Sequence, residues 1–288
     1  MSPVTDALDE LVDLLDLEPI EMNIFRGVSP DDDRQRVFGG QVAGQALVAA
    51  ARTVGADRPV HSLHAYFLRP GDPKIPILYE VDRIRDGRSF TTRRVVAIQH
   101  GKVIFNLQAS FHALEDGLEH QAPQPDVPDP ETLPTFAERY APYADRMGDW
   151  LKRPRPIDTR HVEPIRFEDG AGTPWGRRTQ AMWLRADGTL PDDPVLHACV
   201  VTYASDMTLL DTTMRPHGLS WQEGEVMMAS LDHAMWFHRS FRADDWLLYD
   251  LDTPSASHAR GLARGSIFTT DGQLVVSVVQ EGLIRVIR

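Results

Sequence analysis

The sequence is poor in cysteine and in long apolar runs. Its 288 residues include one cysteine, Cys199, which excludes an internal disulfide and makes a cysteine-based zinc site unexpected. No segment approaches the roughly 18 consecutive apolar residues of a membrane-spanning helix. Residues 1–16 are acidic and lack the cationic start and apolar stretch of a signal peptide. We therefore expect a cytoplasmic chain with no stable membrane association.

Positive charge is also scarce. The chain has 42 acidic and 30 basic residues, which gives a net charge of −12. Such a chain repels phosphate backbones, so we expect no nucleic acid partner. A small anionic ligand stays compatible if a few basic residues gather at its site. Hydrophobic residues make up 42%, which indicates a globular protein whose length allows one large domain or two ordinary ones.

Prolines divide the chain. Between Leu114 and Pro194 lie 12 of the 21 prolines, and a run such as APQPDVPDP at 122–130 excludes regular structure. We predict an N-terminal domain over 1–113, a connector over 114–160 with one helix near 133–151, and a C-terminal domain over 161–288. Ahead of them, residues 5–17 predict a short amphipathic helix capped by Thr5 or Asp6. Its apolar face would carry Leu8, Leu11, Val12 and Leu15.

The two regions that flank the connector share five landmarks, in one order and at near-equal spacing. The first region has Phe25-Arg26, Gln45, SLHAYFLR at 62–69, LYEVD at 78–82 and Gln108. The second has Leu184-Arg185, Asp206, SLDHAMWFHR at 230–239, LYDLD at 248–252 and Gln280. This order and spacing indicate an internal duplication.

Each copy has a short strand, then a helix, then several strands. In the first copy the helix is predicted over 40–53, and its nearly unbroken apolar and small residues indicate burial on most sides. Strands are predicted over 77–84, 91–98 and 103–111, with glycine turns at 85–89, 100–102 and 270–273. We therefore predict the α+β class, with one helix and one antiparallel sheet in each copy. Any α+β domain duplicated in tandem would fit this pattern.

Several familiar catalytic motifs are absent. The sequence has no G-x-S-x-G elbow, no H-E-x-x-H, no P-loop and no G-x-G-x-x-G that opens a helix. Serine hydrolases of the α/β type, zinc proteases and nucleotide-binding folds are therefore not expected, and we predict no metal and no cofactor. We predict that Cys199 is a small buried residue and not a nucleophile.

Five strings in the sequence resemble the acyl-CoA thioesterase II family of bacteria. They are FGGQVAGQAL at 38–47, HSLHAYFLRPGD at 61–72, GRSFTTRRVVAIQHGK at 87–102, SLDHAMWFHR at 230–239 and QEGLIR at 280–285. The resemblance implies two fused hotdog domains, each a curved antiparallel sheet wrapped around a central helix. It also implies an enzyme of fatty acid metabolism that hydrolyses fatty acyl-CoA to free fatty acid and coenzyme A. Similar proteins form homodimers or homotetramers.

Thioester hydrolysis needs a water, a base that takes its proton, and donors for the oxyanion. Asp206, within TYASDMTLLD at 202–211, is the candidate base, because burial on an apolar helix raises the pKa of a carboxylate. Its counterpart in the first copy, Gln45, cannot act as a base. The second copy would therefore supply the acid. From the residues alone, a helix-capping or solvated aspartate is the commoner case.

Gln280 and Ser230 are the next candidates. Counting by twos along the last strand places Gln280 on an apolar face, where its amide needs a partner. A bound water and a backbone group satisfy that need equally well. Ser230 opens the strand SLDHAMWF and could hold the same water, although a bond to the backbone is the commoner role of such a serine.

The family resemblance implies that an acid, a hydroxyl and a glutamine orient a water for direct attack. By motif these residues are Asp206, Ser230 and Gln280, with serine where similar proteins often have threonine. His64 is a fourth catalytic candidate, which would polarise the carbonyl or assist proton transfer, although a structural role is commoner. Asp232 and His233 are expected to support Ser230.

Gly39 and Gly40 precede the first helix and are the candidate substrate-binding residues. Their backbone N–H groups would stabilise the oxyanion from the opposite copy, unless they form only a tight turn. Arginines that could bind coenzyme A phosphates, or simply be solvated, fall at positions 83, 85, 88, 93, 94, 260 and 264.

Two other functions fit part of the pattern. A hotdog enoyl-CoA hydratase would use an aspartate–histidine pair to add water to a double bond. A non-catalytic acyl-CoA-binding module would bind ligand without turnover. The joint presence of Asp206, Ser230 and Gln280 favours the hydrolase, because a module that only binds needs no such set.

Overall fold

The computed structural model describes residues 7–30, 35–148, 151, 153–168, 179–220 and 224–287. The predicted caps of the first helix, Thr5 and Asp6, lie outside these residues. Within the described residues, no helix is both long and apolar enough to cross a membrane.

Thirteen strands in the described part of the chain form one antiparallel sheet. The strands are β1 (Glu18–Glu21), β2 (Ile24–Gly27), β3 (Val60–Phe67), β4 (Ile77–Asp86), β5 (Phe90–Gln99), β6 (Lys102–His112), β7 (Ile157–His161), β8 (Thr179–Ala186), β9 (Val226–Ser230), β10 (Asp232–Phe237), β11 (Leu247–Ser257), β12 (Arg260–Thr269) and β13 (Leu274–Val286). The helices are α1 (Ala7–Leu15), α2 (Gly39–Ala51), α3 (Phe136–Tyr140), α4 (Ala144–Met147) and α5 (Pro194–Ser205). The three strands predicted in the first copy correspond to β4, β5 and β6.

The sheet has the same strand order on both sides of its centre. It runs β1-β2-β4-β5-β6-β3 and continues as β10-β13-β12-β11-β8-β7, with β9 paired to β13. At the junction, Ser62 lies opposite Trp236 and Tyr66 opposite Asp232. These two pairs change places when the two copies are exchanged. The copies are therefore related by an approximate twofold axis. The predicted pair of fused hotdog domains is confirmed.

Helices α2 and α5 lie against each other on one face of the sheet. Gly44 lets the backbones approach closely, because a Cβ at that position would meet the carbonyl oxygen of Cys199 at 3.3 Å. Cys199 is completely buried there, as expected for a small apolar residue. Helix α1 adds Leu8, Leu11 and Leu15 to the same core, while the predicted Val12 is only partly buried.

The two copies differ in register by one residue after the turn that precedes their last strand. Val103 is the partner of Ile98 in the first copy, whereas Leu274 is the partner of Phe268 in the second, after a longer turn. As a result Gln108 faces Arg94, and the residue that faces the matching Arg264 is Val279. The pairing of Gln108 with Gln280 as equivalent landmarks was therefore wrong. The true counterpart of Gln280 is Ala109.

Described residues of the predicted connector, 114–160, pack on the C-terminal copy. The indole of Trp183 donates to the Pro128 carbonyl at 2.9 Å, and the indole of Trp246 donates to Glu131 at 2.8 Å. Instead of one helix near 133–151, the described residues form α3, a 3-10 turn over 141–143 and α4, because Pro142 interrupts the helical ladder. The last residues of the predicted connector belong to strand β7, which pairs with β8.

Candidate active site

A cavity of 680 Å³ opens between the two copies. Its walls come from the start of α2, the end of α5, strand β9, the segment 67–71 and the connector residues 153–156. The aromatic and aliphatic side chains in these walls include Phe67, Phe105, Val42, Leu210 and Met207. Its size and largely apolar lining are typical of a site for an organic ligand.

Three of the predicted catalytic side chains come together at one wall of this cavity, which Asp206 and Ser230 line and behind which Gln280 is completely buried. Asp206 is the C-cap residue of α5, one position beyond the helix on which it was predicted to lie. The amide Nε2 of Gln280 donates to Asp206 Oδ1 at 2.6 Å, and the hydroxyl of Ser230 lies 3.5 Å from the same oxygen. Strands β9 and β13 bring the two partners together, since Ser230 is paired with Gly282.

Burial raises the pKa of Asp206 to about 6. Hydrogen bonds from Gln280, from the Gly40 backbone and from Ser230 act in the opposite direction, because each stabilises the ionised carboxylate. Desolvation is the larger effect. A carboxylate with this pKa is largely ionised near neutral pH and is a stronger proton acceptor than an ordinary aspartate.

The start of α2 closes over the carboxylate of Asp206. A Cβ at Gly39 would lie 2.6 Å from Asp206 Oδ2, and one at Gly40 would lie 2.4 Å from the Tyr203 carbonyl oxygen. Only glycine therefore fits at either position. The two copies both contribute, since α2 belongs to the first and Asp206 to the second. The Gly40 N–H bonds the Asp206 carboxylate, whereas it was predicted as an oxyanion donor.

His64 does not lie with this group, and its catalytic role stays a prediction. On β3, Leu63, Ala65 and Phe67 point towards the helices, so the alternation of a strand turns His64 to the outer face. There it is exposed and meets the ring of Trp236 edge to face, with 5.2 Å between ring centroids.

The two residues predicted to support the site lie beside it. Asp232 accepts a hydrogen bond from the backbone N–H of Glu281 at 2.7 Å, next to Gln280. His233 is buried, and its Nε2 lies 2.9 Å from the hydroxyl of Ser205, the residue before Asp206. Both therefore contact the immediate chain neighbours of the carboxylate and the amide.

Most of the arginines singled out in the sequence take part in ion pairs or backbone bonds away from the cavity. Arg93 pairs with Asp86, Arg94 with Asp82, and Arg264 with Asp252. In the described part of the chain, the cavity is lined instead by four other arginines, namely Arg36, Arg69, Arg153 and Arg155. Sequence reasoning missed these four. The proline-rich string RPRP at 153–156 gave no hint that a connector would form part of the wall.

Sequence profiles of two families match the chain. The profile described as acyl-CoA thioesterase matches residues 161–283, and the one described as acyl-CoA thioesterase N-terminal domain matches residues 29–112. Acyl-coenzyme A thioesterase 8 of Homo sapiens is 42% identical over 95% of this chain and 88% of its own length. Acyl-CoA thioesterase 2 of Haemophilus influenzae is 38% identical over 98% of this chain and 99% of its own.

The chain belongs to the acyl-CoA thioesterase II family. It is accordingly an acyl-CoA thioester hydrolase, as the resemblance implied. The crystal structure of acyl-CoA thioesterase II TesB2 from Mycobacterium marinum superposes with a TM-score of 0.80 at 46% identity, over 96% of this chain and 98% of that one. A protein with a hot dog fold from Alicyclobacillus acidocaldarius, 20% identical with a TM-score of 0.77 over 99% of this chain and all of that one, shares the fold.

Proposed function

We propose that the enzyme hydrolyses fatty acyl-CoA by direct attack of a water held by Asp206, Ser230 and Gln280. The observation that carries this proposal is the 2.6 Å contact between Gln280 and Asp206 at the wall of an apolar cavity. Gln280 acts on the water through Asp206, because its amide fixes one oxygen of the carboxylate. The other oxygen, Oδ2, lies against the start of α2, and Asp206 lines the cavity.

In the proposed reaction, Asp206 takes a proton from the water as the water oxygen bonds to the thioester carbon. The carbonyl oxygen becomes an oxyanion. The carbon–sulfur bond then breaks, and the coenzyme A thiolate takes the proton back from Asp206. The Ser230 hydroxyl accepts or donates a hydrogen bond to the attacking water. No bond to the protein forms at any step.

The oxyanion would be stabilised at the start of α2. The Gly40 N–H bonds Asp206, so the N–H of Gly39, the first residue of the helix, is the proposed donor. Peptide dipoles aligned along the thirteen-residue helix favour negative charge at this end. The oxyanion would therefore form next to a fixed positive potential.

The acyl chain and the coenzyme A would occupy different parts of the cavity. Aromatic and aliphatic walls such as Phe67, Phe105 and Leu210 suit a hydrocarbon chain. Arg36 and Arg69 at the same cavity suit phosphate groups. Their positive charge offsets the net negative charge of the chain at the point where an anionic substrate would enter.

No histidine is found among the described residues that line the cavity. A hydratase of the kind considered from the sequence would need an aspartate–histidine pair there. The hydrolase is therefore the better match. We also propose a homodimer or homotetramer, as the family resemblance implied, in the cytoplasm, as the cysteine content and the N-terminal residues of the sequence led us to expect. Light scattering of the purified protein tests the assembly, and fractionation of cells tests the compartment.

A thiol-release assay over a series of acyl-CoA chain lengths tests the proposed function. We expect Asp206→Asn to lower kcat by about 10²–10⁴-fold, because the amide cannot accept the proton. Ser230→Ala should lower kcat less, and Ser230→Thr should retain most of it. Full activity in Asp206→Asn would remove the proposed base.

Oxygen-18 water in a single turnover tests direct attack. The label is expected in the released fatty acid and not in the protein. Label recovered in the carboxylate of Asp206 would show an acyl-enzyme anhydride and would contradict the mechanism.

A further inference from the structure

His233 and Gln280 are neighbours on adjacent strands. Ala234 is paired with Val279 in the antiparallel ladder of β10 and β13, so the next step along both strands sets His233 opposite Gln280. Their side chains share the inner face with Met235 and Val278, and they are 1% and 0% exposed. Residues opposite each other in this way have Cβ atoms about 4.5–5.5 Å apart, within reach of one water molecule.

The hydrogen bonds of His233 determine which ring nitrogen carries its proton. Nε2 lies 2.9 Å from the hydroxyl oxygen of Ser205, which in turn donates to the Thr202 carbonyl at 2.9 Å. We assign the single hydrogen of this hydroxyl to the Thr202 carbonyl, the nearest oxygen acceptor and one that a serine three residues further along a helix commonly bonds, so that the hydroxyl oxygen accepts from Nε2–H of the histidine. Burial lowers the pKa of His233 to about 4, and the ring is neutral at neutral pH. Nδ1 therefore presents a lone pair.

Two acceptors consequently face the same buried region. His233 Nδ1 has no hydrogen-bond partner among the residues that the structure describes, and neither has Gln280 Oε1. The other end of the Gln280 amide is already fixed, because Nε2 donates to Asp206. Two lone pairs on adjacent side chains match the two hydrogens of one water, and buried waters typically satisfy polar atoms of this kind.

We propose that a buried water donates to both His233 Nδ1 and Gln280 Oε1 and makes His233 a positioning residue for the hydrolysis. The inference rests on the proposed function of Asp206 and Gln280. The water anchors Oε1 on the side away from the cavity. The Nε2 group of Gln280 is thereby kept on the Asp206 carboxylate throughout the reaction.

The anchor matters most after Asp206 has taken a proton. A protonated carboxyl group can donate a hydrogen bond, and a flipped Gln280 amide would present Oε1 to accept it. That bond would stabilise the protonated acid and delay the return of its proton to the leaving thiolate. An amide held with Nε2 forward can only donate, and so it favours the ionised carboxylate.

Other groups also face Asp206 and contribute to its titration. The Gly40 N–H comes from α2, the Ser230 hydroxyl from β9, and the phenol of Tyr249 from β11 senses the carboxylate charge. Among the described residues, the charged groups that line the same cavity beside Asp206 are Arg36, Arg69, Arg153, Arg155 and Asp211. These groups are the same in every His233 variant, so a change in the pH profile reports on the amide.

Three substitutions of His233 separate its two hydrogen bonds. His233→Phe removes both, His233→Asn keeps a polar atom near the position of Nδ1, and His233→Gln keeps one near Nε2. We expect His233→Phe to lower kcat about tenfold with KM within about twofold, since the chemical step alone is affected. The acid limb of its kcat/KM profile should move to higher pH. His233→Asn should restore both values, and His233→Gln should not.

Restoration by His233→Gln and not by His233→Asn would overturn the inference, because the contact with Ser205 would then be the important one. An unchanged acid limb in a folded His233→Phe enzyme would overturn it as well. A crystal structure of the wild-type protein gives a second measurement that does not depend on the variants folding. It should show a water within about 3.2 Å of both atoms, and density that excludes this water would overturn the proposal.

The Asp206→Asn enzyme should be assayed beside these variants. If it keeps full activity, the proposed base fails, whatever the His233 variants do. If it is inactive while His233→Phe keeps its kcat and its acid limb, only the role of His233 fails.

Discussion

The two copies place different chemistry at the same point of the fold, beneath the C-terminal end of the central helix. In the first copy Arg93 fills this point, where it donates to the carbonyl and the hydroxyl of Thr53 just after α2 and pairs with Asp86 at 2.5 Å. Opposite it on β6 is the small Ala109. In the second copy the sizes are exchanged, with Ala263 on β12 and Gln280 opposite it.

This exchange shows how one framework supports two roles. Arg93 binds the carbonyl and the hydroxyl of Thr53 just after its helix and carries its own counterion, Asp86, so its contacts are complete without a ligand. Gln280 reaches Asp206 and leaves the rest of that carboxylate available to the cavity. At this point of the fold, the first copy therefore has a stabilising residue and the second has the candidate catalytic residues. The first copy still contributes the start of α2, which contacts Asp206 of the second.

Arg93 should contribute to stability and not to turnover. A lower turnover in an Arg93 variant would contradict this division of roles between the two copies. We expect Arg93→Ala to lower the free energy of unfolding by about 3 kcal/mol, because buried hydrogen bonds from a charged group to Thr53 are lost. Activity per folded molecule should stay within about twofold. Chemical denaturation and a thiol-release assay measure the two quantities.

Arg94→Ala is the matched control for Arg93→Ala. Arg94 is the next residue on β5, and its ion pair with Asp82 is about half exposed at both ends. Its removal should change the stability by less than about 1 kcal/mol. Equal losses of stability in the two variants would mean that the buried contacts of Arg93 stabilise the fold no more than an exposed ion pair does.

Gln280→Ala gives the second copy the same residue that the first has at Ala109. We expect kcat to fall about 30-fold, an effect of about 2 kcal/mol on the barrier, since Asp206 loses the donor that fixes its orientation. Gln108→Ala is the control, because this exposed glutamine lies one residue out of register. Its kcat should not change. A similar loss of kcat in both variants would indicate that Gln108 and Gln280 are equivalent positions, which the strand register excludes.

The smallest expected effect concerns stability against pH. The folded protein raises the pKa of Asp206 from 3.8 to about 6, so folding favours the protonated acid. The stability that this group contributes is fully present below about pH 4 and is lost as the pH rises through 6. Asp206→Asn should therefore be more stable than the wild type by about 1–2 kcal/mol at pH 7.5, and the gain should vanish near pH 4. Thermal unfolding at both pH values measures it, and a gain independent of pH would contradict the assignment.

Much of the fold follows from sequence pattern, and the errors have identifiable physical causes. Strands β4, β5 and β6 and their glycine turns were predicted from alternation and turn residues, which are local signals. Gln108 was aligned with the wrong residue because the second copy has a longer turn before its last strand. Sequence spacing alone does not show where along the chain the extra residue of that turn lies.

The candidate site was partly predictable for a similar reason. Asp206, Ser230 and Gln280 came from motif resemblance, and alternation along β13 correctly turned Gln280 inward. The same alternation along β3 puts His64 on the face opposite Phe67, so the signal against His64 was present in the sequence. Arg153 and Arg155 reach the cavity through packing of the connector, which no local pattern encodes.

Covalent linkage of the two copies has a consequence for how such a protein can change. In a pair of identical separate chains, a substitution at the point held here by Arg93 would appear in both sites at once, to the benefit of one and the cost of the other. Because one polypeptide carries both copies, each position can vary alone. Under exact symmetry, Arg93 would require a second arginine at position 263, and Gln280 a second glutamine at position 109.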